Sequence, residues 1–311
     1  MQISAEKSQE SRADVSFLRE DIMAGVLYLV ATPIGNLSDM TYRAVETLKK
    51  ADLIACEDTR TSRPLLDHYQ IQTPTTSYHK FNETEKGSQL LSFLIEGKNI
   101  AVITDAGSPG ISDPGEVLTA LCYENGIEVC AIPGPAAAVA AVTSSGQPCR
   151  RFVFEAFLPR EKKERRRICN ELAKEERTMI IYEAPHRLKD TLGMLSSVLG
   201  EDRPVTLCRE LTKQYEEKEK TTLGEAFIKY QTKKPRGEFV LVIAGKSRQQ
   251  AKEEDRARFE SVDIEEHVQH YIDDGMDKME AIKAAAKDRG IGKREVYRML
   301  LDKQNDGDYN T

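Results

Sequence analysis

Four short clusters of polar side chains follow apolar runs in this sequence, where a polar group needs a reason to be. Glu57-Asp58-Thr59-Arg60 closes the run DLIAC, and His79-Lys80-Phe81-Asn82-Glu83 follows another strand-like run. Glu183, His186 and Arg187 sit at a strand-to-helix turn, and Arg209-Glu210 closes PVTLC. A carboxylate, a neutral imidazole or a neutral amine so placed can take a proton from a weak acid. An arginine fork so placed can grip phosphate oxygens. Each cluster also has a plainer role. Asp58 can cap the following helix, 79–83 can be a surface loop, Glu183 and its neighbours can cap a helix, and Arg209 with Glu210 can be a mutually neutralising pair. A second signal lies in three turns dense in small residues and proline: ATPIGN (31–36), DAGSPGISDPG (105–115) and PGPAAA (133–138). Glycine and alanine let a ligand approach the backbone, and proline sets the loop beforehand. Converging on one sheet edge, the three describe a seat for a flat ligand.

Other chemistries find no support. G-x-x-x-x-G-K-[ST] is absent, and no spaced G-x-G-x-x-G follows the first strand, which argues against a P-loop and weakens a dinucleotide reading. The six cysteines include no C-x-x-C pair and read as reduced, mostly buried thiols, not as a disulfide framework. No metal site is expected: the five histidines do not cluster with cysteines, and His267 and His270 read as surface residues of a charged helix.

The scaffold for those turns follows from length and pattern. With 311 residues, 40% of them hydrophobic, the chain is long enough for two or three domains with real cores. No apolar run approaches the roughly 18 residues of a membrane helix, so no membrane partner is expected and cytoplasmic residence is the default. Residues 1–24 lack a signal-peptide pattern and read as a mobile leader, with Met23 another plausible start. From 25 to 147, short apolar runs (GVLYLVAT, DLIAC, NIAVIT, IEVCAI) alternate with helix-like stretches, the signature of a mainly parallel α/β sheet. Asp113-Pro114-Gly115-Glu116 reads as a capping box, and Gly97 and Gly126 as helix-ending glycines. The pattern resets at 147–151. A second α/β block, 148–246, holds RFVFEAF, a basic helix, TMIIYEA, a helix from PHRLKD, PVTLCREL, a charged hairpin-like segment and EFVLVIAG. A polar linker (247–262) leads to a helical tail (263–311) containing two helices around a glycine turn, with Ile282, Ala285 and Ala286 on one face and Val296, Met299 and Leu300 on the other's. The tail resembles a helix-turn-helix. The expected fold is thus two α/β domains plus a small all-helical domain.

Charge distribution points toward a polyanion. The net charge is −6, yet residues 278–303 carry eight basic and four acidic side chains, and 160–167 carry six and two. Phosphate contacts need local positive charge, not a basic whole. Arg160, Arg165 and Arg166 in the first patch, and Lys293, Arg294 and Arg298 in the tail, are the candidate phosphate contacts.

Taken in order, ATPIGNLSD, ACEDTR, SYHKFNE, TDAGSPGISDPG, IPGPAAAVAAVTSSG, YEAPHR and GEFVLVIAG resemble the tetrapyrrole-methylase-like superfamily, and within it the ribosomal RNA methyltransferases, over about residues 25–300. The resemblance implies two α/β domains with S-adenosylmethionine in a cleft between them. It implies 2′-O-methylation of a cytidine ribose in the decoding region of 16S rRNA of the small ribosomal subunit, by a homodimer. Carried over by position, cofactor contacts fall on Pro33, Gly35, Gly107, Ser108, Ile111, Ala136, Ala137, Tyr182, Glu183, Leu211, Glu238 and Phe239. Glu57, Asp58 and Lys80 are then expected near the reacting ribose, with Arg60 and Arg187 as phosphate holders. Two other readings stay open: C-methylation of a tetrapyrrole precursor, and a ligand-sensing DNA-binding regulator.

Overall fold

The computed structural model describes residues 23–247 and 262–307, the side chains of 303–307 excepted. The expected leader (but for its last two residues) and nearly all of the expected linker lie outside the described residues. The described chain divides into two compact units. One takes residues up to Ser145 with Cys208–Glu219 and Gly237–Val240; the other takes Gly146–Leu207, Lys220–Arg236 and the residues from Leu241 onward.

The first unit contains β1 (Val26–Val30), β2 (Leu53–Cys56), β3 (Thr75–Ser77), β4 (Ile100–Ile103) and β5 (Glu128–Ile132), in the order β3-β2-β4-β1-β5. The four neighbouring strand pairs are parallel, with Tyr28 opposite Ala101 on one side and Cys130 on the other. Between the strands run α1 (Tyr42–Lys50), α2 (Thr59–His68), α3 (Glu83–Ile95) and α4 (Glu116–Glu124), and α5 (Ala137–Ser144) follows the last. The period-2 rule explains why the strands read as continuous apolar runs: alternate residues enter two cores. Val30, Ile54, Cys56, Ala101 and Ile103 meet Ala44, Leu48 and Leu66 of α1 and α2. Leu27, Ala55, Ile100 and Val102 meet Leu90, Leu94, Leu118 and Cys122 of α3 and α4. At about 1.5–3 kcal/mol for each large side chain buried, these two layers dominate the stability of the sheet.

This order fixes where a ligand can sit. From β1 the chain crosses over to β2, toward one edge; from β4 it crosses to β5, toward the other. Adjacent strands whose connections leave in opposite directions form a crevice at their C-terminal ends. The β1 and β4 loops meet there: Thr32 and Gly107 exchange backbone hydrogen bonds at 2.9 and 3.1 Å.

The second sheet has the order β6-β7-β10-β8-β9, from Phe152–Phe157, Thr178–Glu183, Phe239–Ile243, Pro204–Arg209 and Glu217–Thr222 respectively. α6 (Lys162–Leu172), α7 (Pro185–Leu199) and α8 (Leu223–Thr232) accompany it. The segment expected as a charged hairpin is instead β9 followed by α8. β9 reads EKEKTT, an unusual strand with no apolar residue, and Thr222 caps α8 by accepting from the Glu225 N–H. A hydrophilic strand carries no core-facing pattern, which is why sequence patterning misses it.

Among the described residues the tail holds the two helices expected around the glycine turn, α10 (Lys278–Arg289) and α11 (Lys293–Gly307), preceded by α9 (Ile264–Asp273). Ile264, Val268, Ala281, Ile282, Ala285, Ala286 and Val296 form one core. Asp277 caps α10 by accepting from the N–H groups of Met279 and Glu280, and Gly290 ends it at φ 65°, the left-handed conformation glycine adopts cheaply. His267, expected at the surface, is buried: its Nδ1 accepts from Arg289 Nε at 3.1 Å and its Nε2 faces Asp288 at 3.4 Å. Met299, expected on the packed face, is 41% exposed.

Candidate functional site

Because the first sheet is parallel, the loops after all five strands emerge on one edge. Those after β1 and β4 are held together as described, and the others add packing of backbone on side chain. Gly107 adopts φ 85°, and a Cβ there would lie 3.5 Å from Ile34 Cγ2. At Gly134 a Cβ would come within 2.9 Å of the Ala31 Cβ. The β4 loop is pinned to α3 by Glu83, whose Oε1 accepts from the Gly115 N–H at 3.2 Å. The expected capping box at Asp113 does not form. Gly115, at φ 143°, is the N-cap of α4, because the Gly110 N–H donates to Pro114 O and keeps the chain in its loop up to that point. Asp113 is thereby released toward other carboxylates.

These carboxylates make up the chemistry of the edge. Glu57 follows β2, and its Oε2 accepts from the Asp105 N–H at 3.4 Å. Burial, then the Asp105 charge, raise the Glu57 carboxyl above the usual range, opposed by that hydrogen bond and by Lys80 and His79. Burial likewise raises Asp105. Asp113 goes furthest, pushed to about 6 by burial and by the charges of Glu57 and Asp105. Three acids compete for charge in one place, and Asp113 gives up its proton at higher pH than an ordinary carboxyl. Asp58 behaves oppositely. It caps α2 by accepting from the Arg60 N–H at 2.8 Å, and the Arg60 guanidinium grips both its oxygens at 3.1 and 2.8 Å, holding it down at about 2. Asp58 is therefore a poor proton acceptor, and Arg60 has its fork engaged though its side chain is exposed.

Of the expected cofactor contacts, the first unit brings together Pro33, Gly35, Gly107, Ser108, Ile111, Ala136 and Ala137 on the loops of this edge. Pro33 and Gly107 are buried, Ile111 is exposed, and Ala136 and Ala137 open α5. Leu211, Glu238 and Phe239 lie in segments counted with the same unit. There Lys213 bonds Glu210 at 2.9 Å and Glu238 at 2.8 Å, and its stem fills the space beside Gly35, where a Cβ would lie 2.4 Å from Lys213 Cγ. Lys213, Asp105 and Asp113 are not among the site residues expected from sequence, where Asp113 reads only as a helix cap. Asp105 offered the same signal as Glu57, an acid directly after an apolar strand.

The remaining candidates belong to the second unit. Tyr182 packs edge-on against Phe154 and Phe157, with centroids 5.0 and 5.6 Å away. Glu183 is buried and accepts from Thr191 Oγ1 at 2.5 Å and from the Ala184 N–H at 2.9 Å. Arg187 faces Glu183 at 3.5 Å and donates to Leu158 O at 2.6 Å, so its fork is committed to the fold. Arg165 is only 9% exposed, unlike Arg160 and Arg166. The spacing of charges along α6 does not reveal which arginine turns inward; the burial of Cys169 and Leu172 on the same face does. Lys293, Arg294 and Arg298 are all exposed. Among the described residues no helix is long and apolar enough to cross a membrane, and no group of three His, Cys, Asp or Glu is arranged to hold a metal.

A family model for tetrapyrrole (corrin/porphyrin) methylases matches residues 26–226. Proteins called ribosomal RNA small subunit methyltransferase I are similar along nearly their whole length. The one from Synechocystis sp. is 47% identical over 91% of this chain and 100% of its own, and the one from Halalkalibacterium halodurans is 49% identical over 88% and 93%. The chain belongs to the tetrapyrrole methylase family, in its ribosomal RNA small subunit methyltransferase I branch. Solved tetrapyrrole methylases share its fold. A cobalt precorrin-4 methyltransferase superposes with a TM-score of 0.53 at 18% identity, covering 70% of this chain and 94% of that one. A uroporphyrin-III C-methyltransferase from Thermus thermophilus, crystallised with S-adenosylhomocysteine, superposes with a TM-score of 0.51 at 16% identity, over 70% and 97%.

Proposed function

We propose that this protein uses S-adenosylmethionine to methylate the ribose 2′-oxygen of a cytidine in the decoding region of 16S rRNA, acting in the cytoplasm on the small ribosomal subunit as a homodimer. The observation that carries the reading is the meeting of Glu57, Asp105, Asp113 and Lys80 on the same sheet edge as the glycine- and proline-set loops. The loops fit the donor. Gly134, which packs onto the Ala31 Cβ, and Gly107, at φ 85°, let these loops close tightly, and their small residues leave main chain for adenosine and methionine to lie against. When bound, S-adenosylmethionine supplies a sulfonium methyl group that is already electrophilic.

The chain has two tasks left: to hold the ribose in line and to receive its proton. Holding it contributes up to about 7–11 kcal/mol. Glu57, raised by burial and the Asp105 charge, or Asp113, raised by burial and the charges of Glu57 and Asp105, is suited to accept the 2′-hydroxyl proton. Lys80 lies on the turn after β3, and its charge acts on Glu57 and tempers that rise. Asp58, tied to Arg60, serves the edge by capping α2. Exposed cations on two separate helices, α6 and α11, favour an extended polyanion over a small tetrapyrrole, and membership of a methyltransferase family favours an enzyme over a DNA-binding regulator. Tritiated methyl transfer to small subunits lacking the modification, followed by nucleoside mapping, tests the reading. Label on a cytidine ribose supports it, and label on a base or on no nucleoside rejects it.

A further inference from the structure

The turn after β3 carries a residue that proton transfer leaves unused. Tyr78 is fully buried, and its N–H donates to Cys56 O at 2.7 Å, continuing the pairing with β2. Three residues later Phe81 is 87% exposed. The chain between them is closed on itself. The His79 N–H donates to Asn82 Oδ1 at 2.8 Å, the Asn82 N–H to His79 O at 2.8 Å, and Asn82 Nδ2 to Ser77 O at 3.4 Å. The ring therefore projects from a fixed turn, not from a loose tip. Lys80 Nζ stands 5.1 Å from its centroid, and the His79 ring meets it edge-on at 6.1 Å.

A single exposed aromatic side chain is ordinary and by itself says nothing. Its company gives this one meaning. The same turn holds Lys80 and His79, close enough for their charges to act on Glu57. An exposed π face beside a cation matches a nucleotide, which presents a flat base joined to a phosphate.

We infer that Phe81 is the platform on which the base of the methylated nucleotide stacks, a positioning residue that sets the ribose at the carboxylate cluster. This deepens the rRNA reading and rests on it. Stacking accepts any base, so Phe81 fixes where the nucleotide lies and not which one it is.

The chain has no tryptophan, so Phe81→Trp places its one tryptophan, excitable apart from the tyrosines, at the platform. Its fluorescence should be quenched on titration with single-stranded oligocytidylate. With small subunits lacking the modification, Phe81→Ala and Phe81→Leu should lower kcat/KM by about 5- to 150-fold, the range of one lost base stack. Phe81→Tyr and Phe81→Trp should restore it, and S-adenosylhomocysteine affinity and Tm should not move. Several outcomes would overturn the inference: full activity in Phe81→Ala, rescue by leucine as good as by tyrosine, loss that neither Tyr nor Trp restores, or no quenching of Phe81→Trp. A wild-type protein that transfers no methyl group to small subunits would instead sink the rRNA reading itself, and that is seen before any variant is compared.

Discussion

Removing the charge of Asp113 should make the protein more stable and less active. Asp113 is half-buried beside Glu57 and Asp105, and its carboxyl rises from the ordinary 3.8 to about 6. A shift of about two units corresponds to roughly 3 kcal/mol at 1.36 kcal/mol each. Partial exposure and salt screening reduce that to about 1.5 kcal/mol. A folded state with the raised pKa binds its proton more tightly than the unfolded chain. The penalty is therefore absent below about pH 4, grows as pH rises to about 6, and is complete above that. Asp113→Asn keeps the shape and removes the charge. For a unit of this size it should melt about 3–6 °C above wild type near pH 8 and level with it near pH 4. The assay is Tm by circular dichroism across that pH range. A variant melting at or below wild type near pH 8, or a gap that ignores pH, would refute the reasoning. If Asp113 receives the proton, the same variant should also lose about 10²–10⁴-fold in single-turnover rate.

Other expectations follow from the same edge. Glu57→Gln should slow single turnover by a comparable factor if Glu57 takes the proton. Lys80→Met should move the acidic limb of the pH–rate profile upward, since the Lys80 charge opposes the rise of Glu57, whereas Asp58→Asn should leave the rate near wild type because asparagine also caps; the reverse pattern would return Asp58 to the chemistry. Gly107→Ala, strained at φ 85°, should weaken S-adenosylhomocysteine binding in calorimetry, and unchanged affinity would remove that loop from the donor seat. Changing Lys293, Arg294 and Arg298 together to alanine should weaken binding to small subunits and reduce the log–log salt slope by about 2. Undiminished affinity would make the tail only a structural cap.

Much of the fold was legible because parallel strands are buried on both faces and announce themselves as apolar runs. NIAVIT and LIAC needed no partner to be recognised. β9 was not legible, since EKEKTT has no apolar residue to betray it. His267 looked like a surface residue because its neighbours are charged, yet Arg289 and Asp288 come from α10, distant in sequence. The loops of the site were readable from their small residues, but the roles of the acids were not. Asp113 and Gly115 fit a capping box until the loop's own hydrogen bonds are known, and the coupling of Glu57, Asp105 and Asp113 joins two loops. Arg187 next to Glu183 looked available for phosphate, and only the carbonyls of Leu158 and Pro159 show that it is occupied.

The most direct test of the central claim is calorimetric titration of the purified chain with S-adenosylhomocysteine. Saturable binding to wild type, weakened in Gly107→Ala, is the expected result. Heat indistinguishable from dilution, under conditions where the protein is folded, would contradict the account at its base.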